Sequence, residues 1–148
     1  MASPEQWRRS FVGSVPEAVA TAKWIEGIAA DRGVPGDVVF AVQLCSEELI
    51  ANIVRHGGSA SPRIEVGLGI FADRVELTVD DDGRPFDVAA AVPHRIEGPL
   101  EDVRPGGLGI HLIHSFSDAL AFRREGMGNR IVATFKLPSA TQPGGVAS

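Results

Sequence analysis

In the stretch "EELIANIVRHG", Glu47 to Gly57, two carboxylates, a carboxamide and an imidazole sit in what otherwise reads as the last turns of an amphipathic helix. At about 100° per residue, Val38, Val42, Cys45, Leu49 and Ile53 share one arc. Asn52 and His56 fall inside that arc, Glu48 on its edge, and Glu47 on the opposite side. A buried amide costs free energy unless it is hydrogen-bonded or faces a cavity. Two readings are open: these groups satisfy the backbone of a neighbouring loop, or the helix walls a wet pocket. In the second reading Glu48 and Asn52, spaced i,i+4, project together. An amide oxygen is a neutral Mg²⁺ ligand and a carboxylate can accept a proton, so the pair suits metal-assisted phosphate chemistry.

Two further stretches carry polar chemistry. "VDDDGRPFD", Val79 to Asp87, puts acidic residues and a Gly at the end of a strand, where the chain must turn sharply. Taken alone, a solvated acidic turn explains it better than a binding site does. An EF-hand loop does not, because the spacing stops after Gly83 and no closing Glu follows. "PGGLGIHLI" is a Gly-rich loop running straight into a helix, where free N–H groups and a positive dipole end suit phosphate. It is neither a Walker A loop, having no Lys after the glycines, nor a dinucleotide fingerprint.

The elements around these stretches follow from periodicity. "QWRRSFVG" reads as a first strand, near Gln6 to Val12. Ser14, Pro16 and Glu17 form a capping-box arrangement for a helix to about Ala30. Pro35 opens the second helix, which ends at Gly57-Gly58. "RIEVGLGIF" and "RVELTVD" alternate as half-buried strands around an Ala72-Asp73 turn. Periodicity disappears from Gly83 to Gly106, which reads as a functional loop such as a lid. "GLGIHLIHSF" resumes helical spacing, and "DALAFRREG" with "NRIVATFKL" reads as a closing hairpin turning near Gly126 to Gly128. The expected plan is α+β, a two-layer sandwich with three helices on one face of a mostly antiparallel mixed sheet. Residues 1–137 are expected to form a single domain and 138–148 a disordered tail.

Composition narrows the classes. Of 148 residues, 44% are hydrophobic and 22% charged, which is ordinary for a globular domain. The net charge is −5, Lys occurs only at Lys23 and Lys136, and the arginines are scattered. Neither a nucleic-acid surface nor an anionic-membrane patch is indicated. Cys45 is the single cysteine, which fits a reducing compartment. The opening residues lack the apolar core of a signal peptide, so a cytoplasmic protein is expected.

Taken in order, "EELIAN", "DDGRPFD" and "GGLGI" resemble the N, G1 and G2 boxes of the GHKL ATP-binding superfamily, the Bergerat or histidine-kinase-like ATPase fold. The wording "GRPFD…GGLGIHLI" and the short length are most similar to the RsbW-type anti-sigma-factor serine kinases. The resemblance spans about residues 7 to 137. It implies ATP and Mg²⁺ as cofactors, with Glu48 as the general base and Asn52 as the Mg²⁺ ligand. It further implies Asp81 as the acceptor of the adenine amino group and Gly83 as the close turn beneath the base. Gly107, Leu108 and Gly109 match the phosphate-facing G2 loop, Asn129 matches an asparagine of the last hairpin, and the lid spans roughly Arg84 to Gly106. Some kinase members carry an Arg directly before the G2 glycines. Here the order is "RPGG", so Arg104, the residue the resemblance implies for contact with the terminal phosphate, is displaced by one residue.

The function this resemblance implies is an anti-sigma factor with protein serine/threonine kinase activity. Its substrate would be a STAS-domain anti-anti-sigma factor in a partner-switching system, its other partner a sigma factor, with a homodimer left open. The alternative is an ATP-binding module that sequesters its partner without efficient phosphotransfer. A two-component histidine kinase core is disfavoured, because no His precedes His56 and the segment before the N box is too short for a helical hairpin. A metal enzyme built on His111 and His114 lacks a carboxylate at ligand spacing.

Overall fold

The computed structural model describes residues 5–84 and 107–138, apart from the side chain of Leu108. The elements run β1 (Glu5–Val12), α1 (Val15–Asp31), α2 (Gly36–His56), β2 (Arg63–Ile70), β3 (Arg74–Asp81), α3 (Gly107–Phe116), β4 (Ala119–Glu125) and β5 (Gly128–Lys136). The five strands form one sheet in the order β1-β2-β3-β5-β4, and every pairing is antiparallel. The expected mixed character is therefore absent among the described residues.

Local chemistry sets the boundaries. Ser14 has an extended backbone and its hydroxyl accepts the Glu17 N–H at 3.2 Å, starting α1. The capping box is only half made. The Glu17 carboxylate turns instead to Arg9 of β1 at 2.7 Å, a charge-assisted bond that ties the helix to the sheet. Gly33 leaves α1 with φ +72°, a left-handed conformation that favours glycine. Phe71 N–H bonds Arg74 carbonyl at 2.9 Å, closing the β2–β3 hairpin around Ala72-Asp73. Gly126, at φ +58°, makes the β4–β5 turn.

Strand alternation sends one side chain in two toward the helices. Ile64, Val66 and Leu68 of β2, Val75, Leu77 and Val79 of β3, and Ile131, Ala133 and Phe135 of β5 are all buried. Helix α2 packs on both α1 and α3 and reaches β3 and β5. Its Val42, Cys45, Leu49 and Ile50 are at most 1% exposed. The central helix is thus clamped from three sides, which gives its polar residues fixed positions.

Candidate nucleotide site

Asn52 lies on the buried face of α2 at 2% exposure, and neither its Oδ1 nor its Nδ2 has a hydrogen-bond partner among the described residues. Such an orphaned carboxamide costs roughly 1–3 kcal/mol of desolvation. Packing offers no return for that cost, whereas an oxygen-ligated cation at this position would satisfy Oδ1. Of the two readings of this helix, the one in which its polar groups bond neighbouring backbone finds no such bond for Asn52 among the described residues. No group of three or more His, Cys, Asp or Glu side chains arranged to hold a metal occurs among the described residues. A Mg²⁺ ion fits only as a guest that brings most of its own ligands as phosphate oxygens and water.

Glu48, one turn earlier, is half-buried. Burial raises its carboxyl above the ordinary range; the Arg55 charge opposes the shift and the Glu47 charge adds to it. A carboxylate held in this way is a better proton acceptor than a solvated one. Its Oε1 lies against the Gly109 backbone, where a Cβ on Gly109 would collide with it. The first turn of α3 is therefore seated on the Glu48 carboxylate. On the neighbouring turn, the Cys45 thiol is pushed up to about 12 by burial and by the Glu48 charge, which leaves it inert.

The three successive aspartates at the end of β3 divide their work. Asp80 points to the open face of the sheet and pairs with Arg130 through two bonds of 2.8 and 2.9 Å. Asp82 accepts the Arg63 N–H at 3.0 Å and secures the start of β2. Asp81 turns toward the helices and is 9% exposed. Its Oδ1 accepts Gly83 N–H at 2.7 Å and Asn129 Nδ2 at 3.0 Å, while Oδ2 accepts nothing among the described residues. A small cavity is lined by Asn52, His56, Asp81, Arg84 and Asn129, so the N-box helix and the acidic turn share one space.

Gly83 is required by close approach. A Cβ there would stand 2.8 Å from the Gly57 carbonyl oxygen and 2.9 Å from Asp81 Oδ1. The acidic turn thus presses directly on the C-terminus of α2. Arg84 completes the junction, its N–H bonding Gly57 carbonyl at 3.2 Å and its Nε bonding His56 carbonyl at 3.0 Å.

Two sequence expectations need correction. His56, placed in the buried arc, has an exposed side chain at the last residue of α2, where the helix ends before its face can be covered. Glu47, expected across the helix from Glu48, lines the same groove of about 330 Å³ with Val15, Ala18 and Val19 of α1. Successive residues lie only about 100° apart around a helix, so both carboxylates border the one groove. Arg104 and the expected lid from residue 85 onward lie outside the described residues, as does the tail from 139. The main chain of Gly107 opens α3, with Leu108 following. Sequence reasoning missed Arg84 and Arg124. Arg124 donates to Asn129 Oδ1 at 2.9 Å and to Gly83 carbonyl at 3.0 Å. Its place opposite Asn129 emerges only from the β4–β5 register.

Comparison with known proteins gives a consistent answer. The model of the histidine kinase-like ATPase domain family matches residues 13–135. The serine-protein kinase RsbW of Oceanobacillus iheyensis is 31% identical over 114 residues, covering 72% of this chain and 72% of that protein. The serine/threonine-protein kinase BtrW of Bordetella bronchiseptica is 29% identical over 113 residues, covering 75% of this chain and 80% of that protein. Among solved structures, the RsbU and RsbW domains of a Mycobacterium tuberculosis protein superpose with a TM-score of 0.66 at 13% identity. That match covers 91% of this chain but only 34% of the other, and it speaks to the fold alone. The N-box helix, the acidic G1 turn and the G2 helix start are thus found together in a chain that belongs to the histidine kinase-like ATPase family, in its RsbW-type serine-protein kinase branch.

Proposed function

We propose that the chain binds Mg·ATP and transfers its terminal phosphoryl group to a Ser or Thr hydroxyl of a STAS-domain anti-anti-sigma factor, and that it sequesters a sigma factor in a cytoplasmic partner-switching system. One observation carries the nucleotide reading: Asn52 is buried with no partner among the described residues, one turn from a carboxylate whose affinity for protons is raised. The kinase names of the relatives support the reaction class, and the STAS and sigma partners follow from the family resemblance.

In this reading Asp81 Oδ2 accepts the adenine amino group, with Gly83 allowing the base to approach the turn. The α3 N-terminus turns its free N–H groups to the phosphates. Mg²⁺, held by Asn52 Oδ1, would neutralise phosphate charge when bound. Glu48 accepts the proton of the incoming hydroxyl as its oxygen bonds the terminal phosphorus. The bond from that phosphorus to the bridging oxygen breaks, and ADP leaves. The groove between α1 and α2 gives a partner's hydroxyl access to Glu48 from outside the nucleotide cavity. Incubation with γ-labelled ATP and the STAS-domain protein tests the proposal. Label on its Ser or Thr is expected; nucleotide binding with no transfer would favour the purely sequestering module.

A further inference from the structure

Three polar residues stand in register across three strands at one end of the sheet. Asp81 of β3 is paired with Asn129 of β5, which is paired with Arg124 of β4. The next inward-facing row is apolar, Val79 with Ile131 and Phe122. The polar row therefore takes the place of one layer of core, and its hydrogen bonds run in one direction. Arg124 Nη1 donates to Asn129 Oδ1 at 2.9 Å and to Gly83 carbonyl at 3.0 Å. Asn129 Nδ2 then donates to Asp81 Oδ1 at 3.0 Å and to Arg84 carbonyl at 2.9 Å.

We propose that Arg124 is a positioning residue for adenine selectivity, acting through Asn129 on the one free oxygen of Asp81. The inference rests on the nucleotide reading above. A guanidinium has donors and no acceptor, so Asn129 must turn its oxygen to Arg124 and its amide hydrogens to Asp81. With Asn129 and Gly83 both donating to Oδ1, that oxygen is saturated and Oδ2 alone faces a ligand. An oxygen that only accepts favours a base with an amino group at its six position over one with a carbonyl there. Arg124 also grips the Gly83 carbonyl, so the turn cannot rotate to offer its own N–H in place of the acceptor. Without Arg124, Asn129 is free to swing its amide onto Oδ2 and compete with the base.

The third bond of Arg124, from Nη2 to Met127 carbonyl at 3.0 Å, braces the hairpin turn. A purely structural role through that bond would weaken every nucleotide alike. Titration calorimetry of the full chain with Mg·ATP and Mg·ITP separates the two, because inosine differs from adenosine by carrying the carbonyl. Wild type should prefer ATP. Arg124→Met should lose about tenfold in ATP affinity while ITP affinity stays level, the size expected for one charge-assisted hydrogen bond. Arg124→Lys, which keeps a cation without the planar fork, should fall between them. Arg124→Met combined with Asn129→Ala should lose little more than Asn129→Ala alone, because the two act in series. Equal losses for ATP and ITP, or an unchanged ratio, would overturn the proposal. If Arg124→Met melts below the assay temperature, the ratio in Arg124→Lys decides. A wild type that binds neither nucleotide overturns the parent reading itself.

Discussion

The Oε1 of Glu48 lies against the backbone of Gly109, so the carboxylate of the central helix and the first turn of α3 meet where a methyl group would not fit. In the proposed reaction, one contact places both the proton acceptor and the phosphate-facing helix start. In that reaction Gly109 therefore registers the base against the phosphates as well as leaving room for them.

Gly109→Ala tests that registration. A Cβ must push Glu48 aside or lift α3, and displacement of a base by a fraction of an ångström to one ångström costs about tenfold or more in rate. The variant should fold, judged by an unchanged circular dichroism spectrum, and transfer phosphate at least about tenfold more slowly at saturating ATP. A wild-type rate would show that the contact has no bearing on the chemistry.

Glu48→Gln should abolish most phosphotransfer, by about 10²-fold or more, and spare ATP affinity, since a base acts in the transition state. The pH profile follows from the direction of its shift. The carboxyl sits above its ordinary value because burial penalises its charged form. The acid limb of the rate should therefore lie at higher pH than an ordinary Glu would give. The same shift makes the ionised group a burden on the fold at neutral pH, relieved as pH falls and the proton binds. Glu48→Gln should thus melt slightly higher than wild type at pH 7, with the gap closing in acid. Glu47→Gln removes a charge that helps hold the Glu48 proton, so it should move the acid limb to lower pH.

The architecture was legible because alternation and helical spacing were unambiguous where the core is dense. The hairpin turn at Ala72-Asp73 and the Ser14 cap fell where turn and cap chemistry put them. Asp81 was singled out from Asp80 and Asp82 only by the family resemblance, through its D-x-G pattern; strand alternation separately puts Asp80 and Asp81 on opposite sides of β3. His56 misled because a helical wheel assumes that the helix continues beneath the core, and α2 ends there. Glu47 misled because adjacent helical residues are only about 100° apart, so a groove beside α1 takes in both it and Glu48. Arg124 was invisible, since a lone Arg in a strand shows its role only once β4 and β5 are set in register beside β3.

Asn52→Leu separates stability from function. The carboxamide, unpartnered among the described residues, destabilises the ligand-free protein, and a leucine of the same branched shape removes that cost. Thermal unfolding without nucleotide should show stabilisation of about 1 kcal/mol or more. Calorimetry on the same variant should show Mg·ATP binding lost. A destabilised variant would mean that the amide is satisfied in solution by ordered water, and retained binding would remove Asn52 from the metal site.

Asp80 and Asp81 offer a paired test with its own control. Both are carboxylates on the last two residues of β3, and both accept hydrogen bonds. Asp80 spends its two oxygens on Arg130, on the face away from the helices. Asp81 keeps one oxygen for the cavity. Asp81→Asn puts a donor where an acceptor is needed, leaving the base amino group facing another N–H, and such a mismatch costs about 2 kcal/mol or more. ATP affinity should fall by at least about thirtyfold, with the far-ultraviolet spectrum unchanged. Asp80→Asn breaks a half-exposed ion pair, worth at most about 1 kcal/mol of stability, and should bind ATP as the wild type does. If both variants bind ATP normally, the base is held elsewhere and Asp81 is a structural residue of the turn. If both fail, the loss comes from the β3 terminus as a whole, and selectivity between ATP and ITP would be unaltered in whichever retains measurable binding.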